Sequence, residues 1–234
     1  MAIFNIIKKE SIIECPYCNE ILKEPPKTKK KCPSCKMPVY FKVNPYTNEK
    51  YYLTEQKAKK MEELQDRYRI EERFYNRFKE YGLKEKHFKK RREEYDKKAK
   101  GNYSAFAFLN SIFNELILGH SMKNDFYTVR NIYYTMAYFL YEFNVDRGHN
   151  HNIFHYLYES KKMELYNYKS QEKQSGHKMK VQIMTFGKGY ACNKCHEHEG
   201  KKFTIDEALE KMPIPVKDCE KGFCYCSYLE ILEE

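Results

Sequence analysis

Two Cys-x-x-Cys pairs, Cys15-Pro16-Tyr17-Cys18 and Cys32-Pro33-Ser34-Cys35, stand thirteen residues apart near one end of the chain. Zn²⁺ takes four thiolates in a tetrahedron at about 2.3 Å, so two such knuckles complete its shell and leave no open position for a substrate. The chemistry expected of Cys15, Cys18, Cys32 and Cys35 is therefore structural. A second set, Cys192, Cys195, Cys219, Cys224 and Cys226, offers five thiols for four places. Cys192 and Cys195 form its assured pair. Cys219, Cys224 and Cys226 compete for the rest, unless all five act as alternates or His196 or His198 enters. The other reading of those histidines is exposed side chains that steady the loop.

All nine cysteines lie in these two clusters. That distribution argues for metal ligation in a reducing cytosol over a disulfide framework, so two structural Zn²⁺ ions and a cytoplasmic protein are expected.

One histidine-rich cluster could carry catalysis. Arg147 and His149 precede a helix on which His151, His155 and Glu159 fall at i, i+4 and i+8, on one face. Metal-free RNA cleavage needs a base for the 2′-OH proton, an acid for the leaving oxygen and a cation for the phosphorane charge. His, Glu and Arg meet those needs, histidine because its ordinary pKa is about 6.5. Two plainer readings stand beside this one: capping or packing residues, and adventitious metal binding by the His-x-x-x-His pair. Asn152-Ile153-Phe154 supplies no metalloprotease glutamate, and no P-loop, dinucleotide-binding glycine turn or nucleophile elbow is present.

The formal net charge of +10 favours an acidic partner, nucleic acid being the commonest. Lys27, Lys29, Lys30 and Lys31 make a basic loop between the knuckles, and Lys89, Lys90, Arg91 and Arg92 a basic run on a helix. These are either phosphate contacts or ordinary solvated faces, since Lys and Glu are mixed throughout.

The elements that must position these groups are legible in outline. The fold class expected is α+β, mainly α: a central helical domain flanked by an N-terminal zinc ribbon and a small C-terminal zinc-binding module. The ribbon takes 1–48, with a strand at Val39–Val43, and long charged helices take 49–100. Thr54 opens the first helix and Gly82 ends it. A helical core takes 101–176. Tyr103, Phe106, Leu109, Ile112, Phe113, Leu116 and Ile117 repeat at helical spacing, as does a second block from Tyr127 to Phe143, and Gly119-His120-Ser121 with Asp125 marks their junction. A third helix runs from about Asn152 to Gln171. The module takes 177–234: a strand from Met179, a turn at Gly187-Lys188-Gly189, and a helix opened by the capping-box spacing Thr204-Ile205-Asp206-Glu207.

No signal peptide is expected, since Lys8, Lys9 and Glu10 interrupt the apolar residues before Ile13. No membrane span is expected either, because the most apolar stretch, Tyr103 to Leu118, holds Asn110, Asn114 and Glu115.

The stretch Ala191-Cys192-Asn193-Lys194-Cys195, Gly200-Lys201-Lys202-Phe203, Pro213-Ile214-Pro215 and Cys219 to Tyr228 is similar to a cysteine module at the ends of many phage- and mobile-element-associated bacterial proteins. Tail pieces of phage head-morphogenesis proteins have a related arrangement. With the ribbon at Cys15 to Cys35, the whole resembles the zinc-finger RNases of bacterial antiphage defence, described as activated by ring-shaped phage proteins. The resemblance covers roughly a third of the chain and carries no catalytic residue with it. It implies an effector that binds and cleaves RNA once a ring-forming phage protein engages it. The alternative is a non-catalytic adaptor that binds nucleic acid or protein, with the aromatic helices as an oligomerisation surface. In either case, chelation is expected to unfold the zinc-bearing termini before the helical middle.

Overall fold

The computed structural model describes residues 13–144 and 150–232. It is mainly helical with two small antiparallel sheets, and it divides into two compact units, Met1–Ala105 and Phe106–Glu234.

In the first unit a three-stranded sheet, β1 (Lys29–Lys31), β2 (Pro38–Val43) and β3 (Lys50–Leu53), is ordered β1-β2-β3. The register pairs Lys30 with Val39 and Tyr40 with Leu53. Side chains alternate across a strand, so β2 serves two cores. Val39 packs with Cys15, Leu22 and Cys32 on one side; Tyr40 meets Tyr51, Leu53 and helix α1 on the other. The sheet thus runs past residue 48 to take in β3.

Helix α1 (Glu55–Glu80) opens where the Thr54 hydroxyl accepts the Lys57 N–H at 3.4 Å. The Tyr17 hydroxyl accepts the Glu55 N–H at 2.9 Å, tying the first knuckle to the helix start. Ala58, Met61, Phe74, Tyr75 and Phe78 bury one stripe, and Gly82, at φ +84°, turns the chain into α2 (Glu85–Ala99). Phe88 of α2 stacks on Tyr75 at 4.9 Å between ring centroids.

The second unit holds α3 (Ala105–Ser121), α4 (Phe126–Asn144) and α5 (Asn150–Ser175). Phe139 of α4 joins α3 through Phe106 and Phe113, at 5.3 and 6.0 Å. Beyond α5 comes a second sheet, ordered β5-β4-β6, made of β4 (Met179–Met184), β5 (Lys202–Thr204) and β6 (Ser227–Leu232). The one-turn helices α6 (Gly187–Tyr190) and α7 (Asn193–His196) lie between β4 and β5. Where a simple turn was expected, α6 forms one closed helical turn, with Ala191 N–H donating to Gly187 O at 3.1 Å. Helix α8 (Ile205–Lys211) carries the complete capping box: Glu207 N–H reaches the Thr204 hydroxyl, and Thr204 N–H reaches the Glu207 carboxylate at 2.9 Å.

These parts share one core. Leu140, Ile153, Leu157 and Leu165 of α4 and α5 pack in the same cluster as Val181, Ile183, Ile214 and Phe223. The boundary expected at 176/177 falls inside it. Cys192, Cys195, Cys224 and Cys226 are buried in the same cluster. Among the described residues no helix is long and apolar enough to cross a membrane.

Candidate metal centres and polar clusters

The N-terminal cluster is built from one turn used twice. Asn19 N–H donates to Cys15 O at 2.9 Å and Lys36 N–H to Cys32 O at 3.0 Å, and both residues take left-handed backbone, φ 60° and 61°. Asparagine enters that region readily; lysine does so at some cost. The reversal aims backbone N–H groups at the first sulfur of each pair, those of Tyr17 and Cys18 at Cys15 and those of Cys35 and Ser34 at Cys32. Such donors favour the thiolate, the metal-binding form. The Cys35 N–H leads in holding the Cys32 thiol down at about 7, whereas burial prevails at Cys15 and raises it.

Cys15 Sγ lies 3.8 Å from Cys35 Sγ, Cys18 Sγ lies 3.8 Å from Cys32 Sγ, and all four sulfurs fall within 4.8 Å of one another. A disulfide would bring two sulfurs to about 2.05 Å. Four thiolates placed tetrahedrally at about 2.3 Å from an ion stand about 3.8 Å apart. The cluster has the dimensions of a four-thiolate metal site.

The C-terminal cluster is less symmetric. Cys192 caps α7 and Cys195 lies on it, with their sulfurs 3.5 Å apart. Cys219 approaches them at 3.9 and 3.8 Å, and Cys224 lies 3.9 Å from Cys195. Two mutually close triples, Cys192/Cys195/Cys219 and Cys195/Cys224/Cys226, share Cys195. The Cys226 thiol donates to Cys224 and, with the Val216 N–H at 3.4 Å, holds Cys224 down at about 6 despite its burial. The same contact, reinforced by burial, pushes Cys226 up. Both clusters can hold a metal ion. Neither includes a histidine; His196 Nδ1 instead sits 3.0 Å from Glu199.

Of the residues expected to catalyse, Arg147 and His149 lie outside the described residues. His151, His155 and Glu159 fall on α5, whose backbone sets them on one face, and the side chain of His151 is also outside the description. His155 is exposed, with its ring 5.3 Å from that of Tyr156, and Glu159 is half-buried beside Tyr133.

The basic runs are largely engaged with the protein's own groups. Lys30 pairs with Glu24 at 2.7 Å, and Lys29 lies over the Tyr40 ring at 4.9 Å. Lys27 and Lys31 are exposed. On α2, Lys89 pairs with Glu85 at 2.5 Å, Lys90 and Arg91 reach Glu94 at 3.9 and 3.4 Å, and Arg92 covers the Tyr46 ring at 4.2 Å.

Two buried polar clusters were not foreseen. In the first unit Glu71, 1% exposed, accepts from the Tyr103 hydroxyl at 2.7 Å and the Tyr46 hydroxyl at 3.0 Å. Arg67 lies 3.8 Å from the same carboxylate and 4.1 Å over the Tyr103 ring. Burial raises the Glu71 carboxyl against the pull of these partners and pushes both tyrosines well above their ordinary range. In the second unit buried Glu164 receives Arg130 at 2.9 Å on one oxygen and Lys161 at 2.9 Å on the other. Lys161 also reaches Ser227 Oγ at 3.3 Å. The signal for the first cluster is a glutamate on the apolar stripe of α1. Arg130 and Glu164 are 34 residues apart with no shared pattern, so no local signal marks that pair.

Compared with known proteins, the chain matches no family model, no curated protein and no solved structure.

Proposed function

We propose that this protein is a two-zinc, RNA-binding effector of the antiphage RNase type, with Zn²⁺ in both cysteine clusters. The observation that carries the zinc assignment is the sulfur spacing of 3.8 Å within a four-cysteine set, the size of a zinc tetrathiolate. In the second site Cys192, Cys195 and Cys219 supply three ligands as one mutually close triple, and Cys224, 3.9 Å from Cys195, supplies the fourth in this reading, with Cys226 of the second triple as its alternate. With Cys224 as ligand, Cys226 is a thiol donor to it. Both sites are closed, so zinc supplies folding energy and the chemistry falls to other side chains. The charge of +10, the exposed lysines of the ribbon loop and the two-ended architecture support RNA as ligand and a ring-forming phage protein as trigger. His151, His155 and Glu159, with Arg147 and His149, carry the cleavage in this reading.

One observation favours a second reading, the non-catalytic adaptor: His155 is exposed, and its described contact is an aromatic ring rather than a carboxylate. The deciding experiment incubates the purified protein with labelled RNA and DNA, with and without phage structural proteins, beside the His149, His151 and His155 triple alanine variant. The effector reading expects RNA cleavage that this variant loses while its binding and zinc content persist. Intact RNA under every condition establishes the adaptor. RNA binding itself should weaken steeply as salt rises, because phosphate contacts release counterions.

A further inference from the structure

Within the second unit a cavity of about 250 Å³ opens above the Glu164 cluster. Arg130, Lys161 and Ser227 line it, and Tyr134, Phe186, Tyr190 and Tyr225 form its walls. Lys161 is buried, and a buried lysine is rare without a partner that justifies it. Its partner Glu164 is shared with Arg130, so two cations meet one carboxylate and the site keeps an excess positive charge. Donors are also in excess. Arg130 gives one hydrogen bond to Glu164 and one to Asn131 Oδ1, while its buried Nε–H has no acceptor. A buried unpaired donor is destabilising, and an anion entering the cavity would supply the acceptor it lacks.

The walls carry the second half of the argument. Phe186 and Tyr190 are 60% and 58% exposed although both are large aromatics beside a charged cavity. Tyr190 meets Tyr225 edge to face at 5.4 Å, and Phe223 behind them holds Tyr134 and Tyr225 at 5.5 and 4.8 Å. Rings presented this way, next to cations, are the surfaces on which bases stack. The cavity is smaller than the roughly 300 to 1,000 Å³ that encloses a drug-sized ligand. It admits a phosphate and part of a base, with the remainder over the exposed rings.

We infer that this cavity binds one nucleoside phosphate unit, its phosphate on Arg130 and Lys161 and its base on Phe186 and Tyr190. The unit is either a free mononucleotide or one residue of a single strand. The second case deepens the RNA-binding reading and rests on it; the first does not. Glu164 is the counter-ion that keeps both cations aimed while the cavity is empty, and Ser227 braces Lys161.

The test uses the full-length zinc-loaded protein with four probes: 5′-AMP, 5′-UMP, inorganic phosphate and a fluorescein-labelled eight-nucleotide single-stranded RNA. Calorimetry reads the small probes and fluorescence anisotropy the oligomer. The Phe186→Ala/Tyr190→Ala double variant removes exposed rings and should melt as wild type; Arg130→Gln removes the charge. Both should weaken nucleotide binding by about tenfold or more, and only Arg130→Gln should weaken phosphate. Mononucleotide binding lost in both variants without octamer binding supports the site and overturns the RNA reading. Octamer binding unchanged in both variants overturns the site and leaves the RNA reading standing. Absence of binding by all probes overturns both.

Discussion

Cys226 separates what spacing dictates from what geometry adds. Five thiols cannot share one tetrahedral ion, and the Cys-x-Cys spacing of Cys224 and Cys226 does not say which sulfur faces Cys195. The structure brings both near it: Cys195, Cys224 and Cys226 lie within 4.8 Å of one another, and Cys224 also accepts the Val216 N–H at 3.4 Å, which favours its thiolate. Metal analysis by mass spectrometry should find two zinc ions per chain, one in Cys18→Ser or Cys224→Ser, and two in Cys226→Ser. A Cys226→Ser protein that holds one ion would make Cys226 the ligand. Glu71 offers a residue-scale test of stability. Its alanine variant leaves Tyr46, Tyr103 and Arg67 without their shared acceptor, and breaking such a buried ionic cluster costs about 3 to 5 kcal/mol. Glu71→Gln, which retains an acceptor oxygen, should lose much less in urea denaturation. The paired cysteines were legible because metal geometry constrains their spacing. The Glu164 cluster was not, because three distant segments supply Arg130, Lys161 and Ser227, and only the folded core brings them together.

Among the elements, those with a local start signal were legible. Thr54 opens α1, and the capping box opens α8 at Thr204, because each cap satisfies orphan N–H groups with its own neighbours. Strands β1, β3 and β5 were not, since three or four residues are too few for an alternation to show, and six-residue β6 was not, since its pairing is decided by the partner strand β4. The α3 to α4 junction gives a pH test. Asp125 accepts the Thr128 N–H at 3.1 Å and faces His120 Nδ1 at 2.9 Å. Burial opposes its charge, but these donors prevail and the carboxyl lies below its ordinary value. A carboxyl depressed in the folded state adds stability that is complete above the unfolded pKa of about 3.9 and lost as pH falls through the folded value. Asp125→Ala should therefore cost about 1 kcal/mol at pH 7, the usual worth of an N-cap. The gap between variant and wild-type urea midpoints should shrink as pH drops below about 4. A gap that stays constant or widens in acid would show that the carboxylate is not its source.

At the scale of the whole molecule the second cysteine cluster is part of a core and not an appendage. Cys192, Cys195, Cys224 and Cys226 are buried in one cluster with Leu140, Ile153, Leu157 and Leu165 of α4 and α5 and with Val181 and Phe223. A structural zinc site contributes on the order of 10 kcal/mol near neutral pH, comparable to the whole stability of an ordinary domain. If zinc occupies this site as proposed, its removal would leave several buried thiols without their metal inside the cluster that α4 and α5 share. Sequence alone leads to the expectation that chelation unfolds the zinc-bearing termini before the helical middle; the shared core predicts instead that loss of the second ion reaches α4 and α5 as well. The N-terminal site is different: its sulfurs pack with Leu22 and Val39 in a small cluster of their own. Helicity followed by circular dichroism should survive almost intact in the Cys18→Ser/Cys32→Ser protein. Chelator titration of that same variant, which now strips only the second ion, should then remove a large part of the helical signal in step with zinc release. Full zinc release from the variant with its helices retained would mean that the apolar packing of α4 and α5 alone sustains the unit, and that the metal merely decorates it.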